Sequence, residues 1–218
     1  MKEPVLRLRR QDTEVLLVGM IHVAPRPFHE NATAMITERI ALGSTVVYED
    51  LDGINARFSE LIGPPFEYVF KMKEMAFSIL REEFGLWYQT DVIPPQSNWI
   101  NGDDIPTLVE FHARDGWPAA IEKRASRFEA ILHNPTAWVE RWRVAADREP
   151  MEYTPEVKGL RPLGYRDHEA ARRINLAAER NNVVSYWGSA HLAGIYSHLI
   201  PYGFSLVEQT QRTFDPKS

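Results

Sequence analysis

Two histidines stand in the same local setting near opposite ends of the chain, in Gly19-Met20-Ile21-His22 and in Gly188-Ser189-Ala190-His191. Each Gly-x-x-His closes an apolar run, Val15-Leu16-Leu17-Val18 in the first copy and Val183-Val184-Ser185-Tyr186-Trp187 in the second. Two imidazoles and one carboxylate are a sufficient set for Zn²⁺, Mn²⁺, Co²⁺ or Fe²⁺, with positions left for water and substrate. A water held in that way becomes a nucleophile near neutral pH. One Gly and one His three residues apart carry little information. Two copies at the ends of runs suited to central parallel strands imply a shared crevice, because ligands in open α/β sheets bind beyond the strand carboxyl ends. The glycines are expected to let the chain leave its strand at a φ that Cβ-bearing residues avoid, and to leave room for a close approach.

The first carboxylate to add is Glu49, which follows the strand-like Thr45-Val46-Val47-Tyr48 and is aimed at the same crevice. Asp50 and Asp52 share its surroundings, so spacing leaves the choice among the three open. Asp103, after Trp99-Ile100-Asn101-Gly102, is a weaker candidate. Arg166 opens the helical stretch before the second motif, where a guanidinium can hold a carboxylate or polarise a carbonyl. Ser189 precedes His191 by only two residues and is poorly placed to be activated by it, which argues against a serine hydrolase. His29, His112, His133, His168 and His198 lie in helix-like segments and read as surface or packing residues.

The elements that must position these groups follow from periodicity. Val5 to Arg10 alternates apolar and basic residues and, with a turn at Gln11-Asp12-Thr13, forms a hairpin with Val15 to Val18. A helix over about Phe28 to Leu42 leads to the strand Thr45 to Tyr48, giving a βαβ unit. Phe66 to Phe84 is helical and is stopped by Gly85, Leu86 to Ile93 reads as a short strand, and Pro106 to Arg148 reads as three helical pieces with Asn134 capping the last. Pro150 to Gly164 reads as a surface connection or a flap over the cleft. Arg166 to Glu179 is helical, and Pro201-Tyr202-Gly203 leads into a final strand from Phe204 to Thr210, a second βαβ-like unit. The expectation is a single α/β domain with a central, mostly parallel sheet, flanking helices, two βαβ-like halves each carrying Gly-x-x-His, and a helical insertion over roughly 66–150.

At 218 residues the chain suits one large domain. A net charge of -5 argues against a nucleic-acid binder. No apolar run approaches the ~20 residues needed to cross a bilayer, and Met1-Lys2-Glu3-Pro4 lacks a signal-peptide core, so a cytoplasmic protein is expected. With no cysteine, thiol catalysis and thiolate metal sites are excluded, and any metal must be held by His and carboxylate.

Assembled in order, these motifs resemble the TraB/PrgY/TIKI family of Gly-x-x-His proteins, within a wider set that includes ChaN-like haem-binding proteins and erythromycin esterases. Gly19 to His22 resembles the family's first motif and Gly188 to Ile195 its second. Val47-Tyr48-Glu49-Asp50-Leu51-Asp52, followed by Arg57, is similar to the family's acidic segment, and this favours Glu49 over its neighbours. Tyr165-Arg166-Asp167 is similar to a Glu-Arg-Asp helix start, with Tyr165 in place of the acidic residue. The resemblance implies a duplicated α/β fold with a polar site between its halves and, from the animal members, divalent-metal-dependent peptide cleavage.

The leading expectation is a hydrolase of a peptide or another amide or ester. In it His22, His191 and Glu49 bind or orient a Mn²⁺- or Co²⁺-like ion, with Zn²⁺ or Fe²⁺ as alternatives, and Arg166 stabilises the developing oxyanion. Glu49 could instead be the general base. The rivals are a metal-independent esterase resembling erythromycin esterases and a non-catalytic peptide- or haem-binding protein. A homo-oligomeric assembly is left open.

Overall fold

Alternate residues of a strand face opposite sides of its sheet, and the two innermost strands of this protein are apolar on both sides. The computed structural model describes residues 2–50, 52–106, 116–146 and 165–213. Strands β1 (Lys2–Arg10) and β2 (Thr13–Met20) form the expected antiparallel hairpin, with Arg7 opposite Leu16. Its turn passes through Gln11 at φ 53°. Helix α1 (Arg26–Ala41) then crosses to β4 (Thr45–Tyr48), after a three-residue strand β3 (Val23–Pro25).

The six-stranded sheet runs β6-β4-β7-β2-β1-β8, where β6 is Ile100–Asn101, β7 is Val183–Gly188 and β8 is Ser205–Thr213. Strands β6, β4, β7 and β2 are mutually parallel, while β1 is antiparallel to both of its neighbours. The expected α/β architecture is therefore present, with one qualification about order. The second motif strand, β7, is inserted between β2 and β4, so the ends of the first βαβ unit are not neighbours in the sheet.

All six residues of β7 are buried. Val183 and Trp187 face a core with Val15 and Leu17 of β2, while Val184 and Tyr186 face the opposite core with Leu16 and Val18. The first core is covered by helices α7 (Tyr165–Ala178) and α8 (Ser189–Leu199). Ala170, Ala171, Ile174, Ala177 and Ala178 recur at helical spacing, and the four alanines let α7 pack closely on the strands. The second core is covered by α1 through Ala32 and Ile36. The one polar side chain inside β7, Ser185, is satisfied: its Oγ donates to the Val47 carbonyl at 2.8 Å and accepts from Trp187 Nε1 at 2.9 Å.

The segment expected as a helical insertion over roughly 66–150 contains α3 (Pro64–Phe84), α5 (Trp117–His133) and α6 (Pro135–Ala146), and an unexpected helix, α2 (Gly53–Ile62), precedes it. Asn134 caps α6 as its sequence suggests, its Oδ1 accepting from the Ala137 amide at 3.0 Å. The expected strand from Leu86 to Ile93 is shorter. Only β5 (Leu86–Tyr88) is extended, paired with β3, and Gln89–Val92 turns into a helical turn, α4. The expected flap at Pro150 to Gly164 lies outside the described residues, as do His112 and the rest of 107–115. Among the described residues no helix is long and apolar enough to cross a membrane.

Candidate active site

Four parallel strands end along one edge of the sheet, where His22, Glu49, Asp103, Arg166 and His191 come together. Glu49 follows β4 directly, its amide still donating to the Tyr186 carbonyl of β7 at 3.1 Å. The next strand contributes Gly188, whose amide donates to Glu49 Oε2 at 2.6 Å. His22 lies just beyond β2, and His191 in the first turn of α8. Glu49 is 2 % exposed. Its Oε2 lies 3.8 Å from His22 Nε2, and its Oε1 lies 3.7 Å from His191 Nε2. The two imidazoles therefore face the two oxygens of one buried carboxylate.

Each imidazole is oriented from behind. His191 Nδ1 lies 2.6 Å from Asp167 Oδ1, a fully buried carboxylate on α7. His22 Nδ1 lies 3.3 Å from Gln89 Oε1, and the Gln89 amide donates to the His22 carbonyl at 2.8 Å. An acceptor at Nδ1 assigns the proton to that nitrogen and leaves the lone pair on Nε2, on the Glu49 side. Neither orienting residue stood out in the sequence. Asp167 is one position past Arg166 in the helix-start motif, and Gln89 is the first polar residue after Leu86-Trp87-Tyr88; those were the available signals.

Arg166 bridges the carboxylates. Its Nη2 donates to Glu49 Oε1 at 2.8 Å and to Asp103 Oδ2 at 3.0 Å, and its Nε to Asp103 Oδ1 at 2.8 Å. Nη1 lies 3.5 Å from His191 Nε2. Burial disfavours the charge on Arg166, but its bonds to Asp103 and Glu49 outweigh that and raise its pKa. Burial likewise raises the Glu49 pKa. His22 when protonated, Arg166, His191 when protonated, and the Gly188 amide outweigh it and hold Glu49 below the usual carboxylate range. Asp103, the weakest candidate by sequence, is thus built into the centre, and its Oδ2 also accepts from the Asp50 amide at 3.0 Å.

The remaining carboxylates are turned elsewhere. Asp50 accepts from the Gly53 backbone amide at 2.6 Å, at the start of α2, and from Asn101 Nδ2 at 2.8 Å. Asp52 pairs with Lys73 and with Thr90 Oγ1 at 2.9 Å, on the wall of a cleft that also exposes Phe70, Phe77 and Tyr88. Ser189 Oγ donates to the Met20 carbonyl at 3.2 Å. His29 is fully buried, and His168 and His198 pack edge to face at 5.4 Å between ring centres.

The expected reason for the motif glycines is half corrected. Gly188 has φ -49°, an ordinary value, and Gly19 has no positive φ either. Space is what demands glycine: a Cβ on Gly188 would stand 2.9 Å from Cε1 and Nε2 of His22, and one on Gly19 would stand 2.7 Å from the Pro4 carbonyl oxygen. The close approach is by the protein's own His22 ring.

Among the described residues no three His, Asp or Glu side chains already form a tight ligand cluster. The chemistry of the donor set nevertheless fits a divalent cation. Both imidazoles present Nε2 lone pairs and have acceptors at Nδ1, the usual backing of metal-bound histidine. Three buried carboxylates, Glu49, Asp103 and Asp167, are balanced by one guanidinium, which leaves two negative charges in excess when both imidazoles are neutral. A divalent ion cancels that excess, and buried charge is costly unless balanced. No protein-family model, curated protein or solved structure matches the chain.

Proposed function

We propose that this protein is a divalent-metal-dependent hydrolase of a peptide or another amide or ester, in keeping with its resemblance to the TraB/PrgY/TIKI proteins. The observation that carries the proposal is the convergence of His22 Nε2 and His191 Nε2 on opposite oxygens of Glu49, at 3.8 and 3.7 Å. His22, His191 and Glu49 would hold the ion, for which Mn²⁺ or Co²⁺ is proposed. Bound there, the ion supplies a Lewis acid and lowers the pKa of its water.

Glu49 suits the part of ligand better than that of general base. A carboxyl held below its ordinary range stays ionised but accepts a proton poorly near neutral pH. Asp167 keeps the His191 proton on Nδ1, and Gln89 does the same for His22. Arg166 is anchored by Glu49 and Asp103 through Nε and Nη2, which leaves Nη1, 3.5 Å from His191 Nε2, as the nitrogen to meet the developing oxyanion. The His22 side chain is 41 % exposed and that of His191 only 12 %, so substrate enters over His22.

A second reading has its own observation. The 2.6 Å contact between Asp167 and His191 is also the arrangement of a general-base dyad. In a metal-independent esterase, His191 Nε2 would take the proton of an attacking water while Arg166 faces the oxyanion. A panel of p-nitrophenyl esters and chromogenic peptide amides, assayed with added Mn²⁺ or Co²⁺ and with chelator, separates the two. Turnover abolished by chelator and restored by metal supports the metal-dependent proposal. Turnover indifferent to chelator sinks it in favour of the esterase.

A further inference from the structure

Gly19 sits where the β1–β2 ladder runs out of donors. Pro4 of β1 lies against it, with its carbonyl oxygen 2.7 Å and its Cδ 3.0 Å from where a Gly19 Cβ would be. Proline has no N–H to give. The Gly19 carbonyl takes its hydrogen bond from a side chain instead: Arg212, near the end of β8, donates from Nη2 at 2.6 Å. The same guanidinium donates from Nη1 to the Phe28 carbonyl at 3.0 Å, touches Met20 Sδ at 3.3 Å, and lies 4.3 Å over the Phe28 ring.

Gly19 and Phe28 are the two ends of the segment that carries His22. One at the end of β2 and one in the first turn of α1, they are joined through a group that is only 7 % exposed and comes from a strand 193 residues away in the chain. A buried arginine is expensive unless its fork is used. Burial lowers the Arg212 pKa to about 10, opposed by the charge of Glu3, its partner across β1 and β8. Among the described residues Glu3 Oε2 and Arg212 Nε have no hydrogen-bond partner, so the pair does not owe its place to a complete salt bridge.

We infer that Arg212 is a positioning residue for the candidate active site: by clamping the Gly19 and Phe28 carbonyls it fixes the turn that sets the His22 imidazole against Glu49. It touches neither His22 nor Glu49 in any contact described above, and acts through the backbone. The inference rests on the reading of His22 as a site residue, but its test needs neither metal nor substrate.

The experiment uses the full chain with ¹⁵N-labelled histidine and compares imidazole cross-peaks of wild type, Arg212→Lys and the charge-balanced Arg212→Met/Glu3→Gln. Arg10→Met serves as control: Arg10 also binds a carbonyl, that of Tyr202 at 3.2 Å, with Asn175 Oδ1 at 2.6 Å, but at the far end of the sheet. The expected result is that the His22 ring signals shift or broaden in both Arg212 variants and stay put in the control, with those of His191 unmoved. Lysine cannot span both carbonyls, so keeping the charge should not rescue. In the same variants Mn²⁺ or Co²⁺ affinity should fall about tenfold; if wild type binds neither ion, the proposed function fails while the NMR comparison still decides on Arg212. Unmoved His22 signals in folded variants would overturn the inference. So would equal movement of His22 and His191 with general loss of structure, since Arg212 would then merely hold the sheet together.

Discussion

Arg166 Nη2 lies 2.8 Å from Glu49 Oε1, across 117 residues of sequence, and this contact ties α7 of the helical layer to the carboxyl edge of the sheet. Replacing the guanidinium strands two buried carboxylates, Glu49 and Asp103, each 2 % exposed. Arg166→Met should therefore destabilise the fold by about 3–5 kcal/mol, read as a lower urea midpoint. Arg166→Lys should recover part of the stability and little activity, because an ammonium cannot form the fork. Equal urea midpoints for wild type and Arg166→Met would show that these carboxylates do not depend on it.

Asp167→Asn tests the orientation of His191. The amide can present its NH₂ to Nδ1 and turn the imidazole into the wrong tautomer, so kcat should fall by about 10²–10⁴ with the melting temperature nearly unchanged. Imidazole ¹⁵N shifts report the tautomer directly. A variant with full activity would remove Asp167 from the account.

The two glycines of the second motif should fail in different ways. A Cβ at Gly188 meets a ring that is partly open to solvent, so Gly188→Ala should displace His22 and abolish metal binding and turnover at a cost in stability below about 1.5 kcal/mol. A Cβ at Gly194 would stand 1.9 Å from Asp167 Oδ2, between two packed helices. Gly194→Ala should cost about 1–3 kcal/mol as well as activity. Calorimetry of both variants checks the contrast, and an equally stable pair would contradict it.

Two buried groups near β1 and α1 oppose each other in the pH dependence of stability. Burial lowers the His29 pKa from 6.5 to about 4, so on acidification the unfolded chain takes up this proton first and stability falls with falling pH across that window. Burial raises the Glu3 pKa from 4.5 to about 7, so the folded chain holds its proton longer and stability falls with rising pH across that second window. Each effect is about 3 kcal/mol at its limit, and between pH 4.5 and 6.5 they cancel. His29→Gln should expose the Glu3 slope and Glu3→Gln the His29 slope. Denaturation midpoints at pH 5 and pH 7 read both, and parallel profiles for all three proteins would refute the assignment.

How far the site was legible depends on where each residue sits relative to a strand end. His22, His191 and Glu49 follow apolar runs, and a strand end fixes the direction of what comes next, so their meeting at one sheet edge could be read from the chain. Asp167 and Gln89 could not be placed in that way. Whether Asp167 reaches His191 is set by the packing of α7 on α8 at Gly194, and whether Gln89 reaches His22 is set by the pairing of β3 with β5; both are long-range facts. Strand order was hidden for the same reason. Periodicity identifies β2, β4 and β7 but is silent on β7 lying between the other two. The φ argument for Gly19 and Gly188 failed because crowding by Pro4 and His22, which no local rule anticipates, is what excludes a side chain there.

The proposed function requires that His22, His191 and Glu49 share one divalent ion. The most direct test is elemental analysis of untagged wild type beside His22→Ala and His191→Ala, after equilibration with Mn²⁺ or Co²⁺ and removal of free ion. Close to one bound ion per chain is expected in wild type, and its loss from both variants, each still folded by circular dichroism. A wild type that retains no ion, or variants that bind as much as wild type, would contradict it.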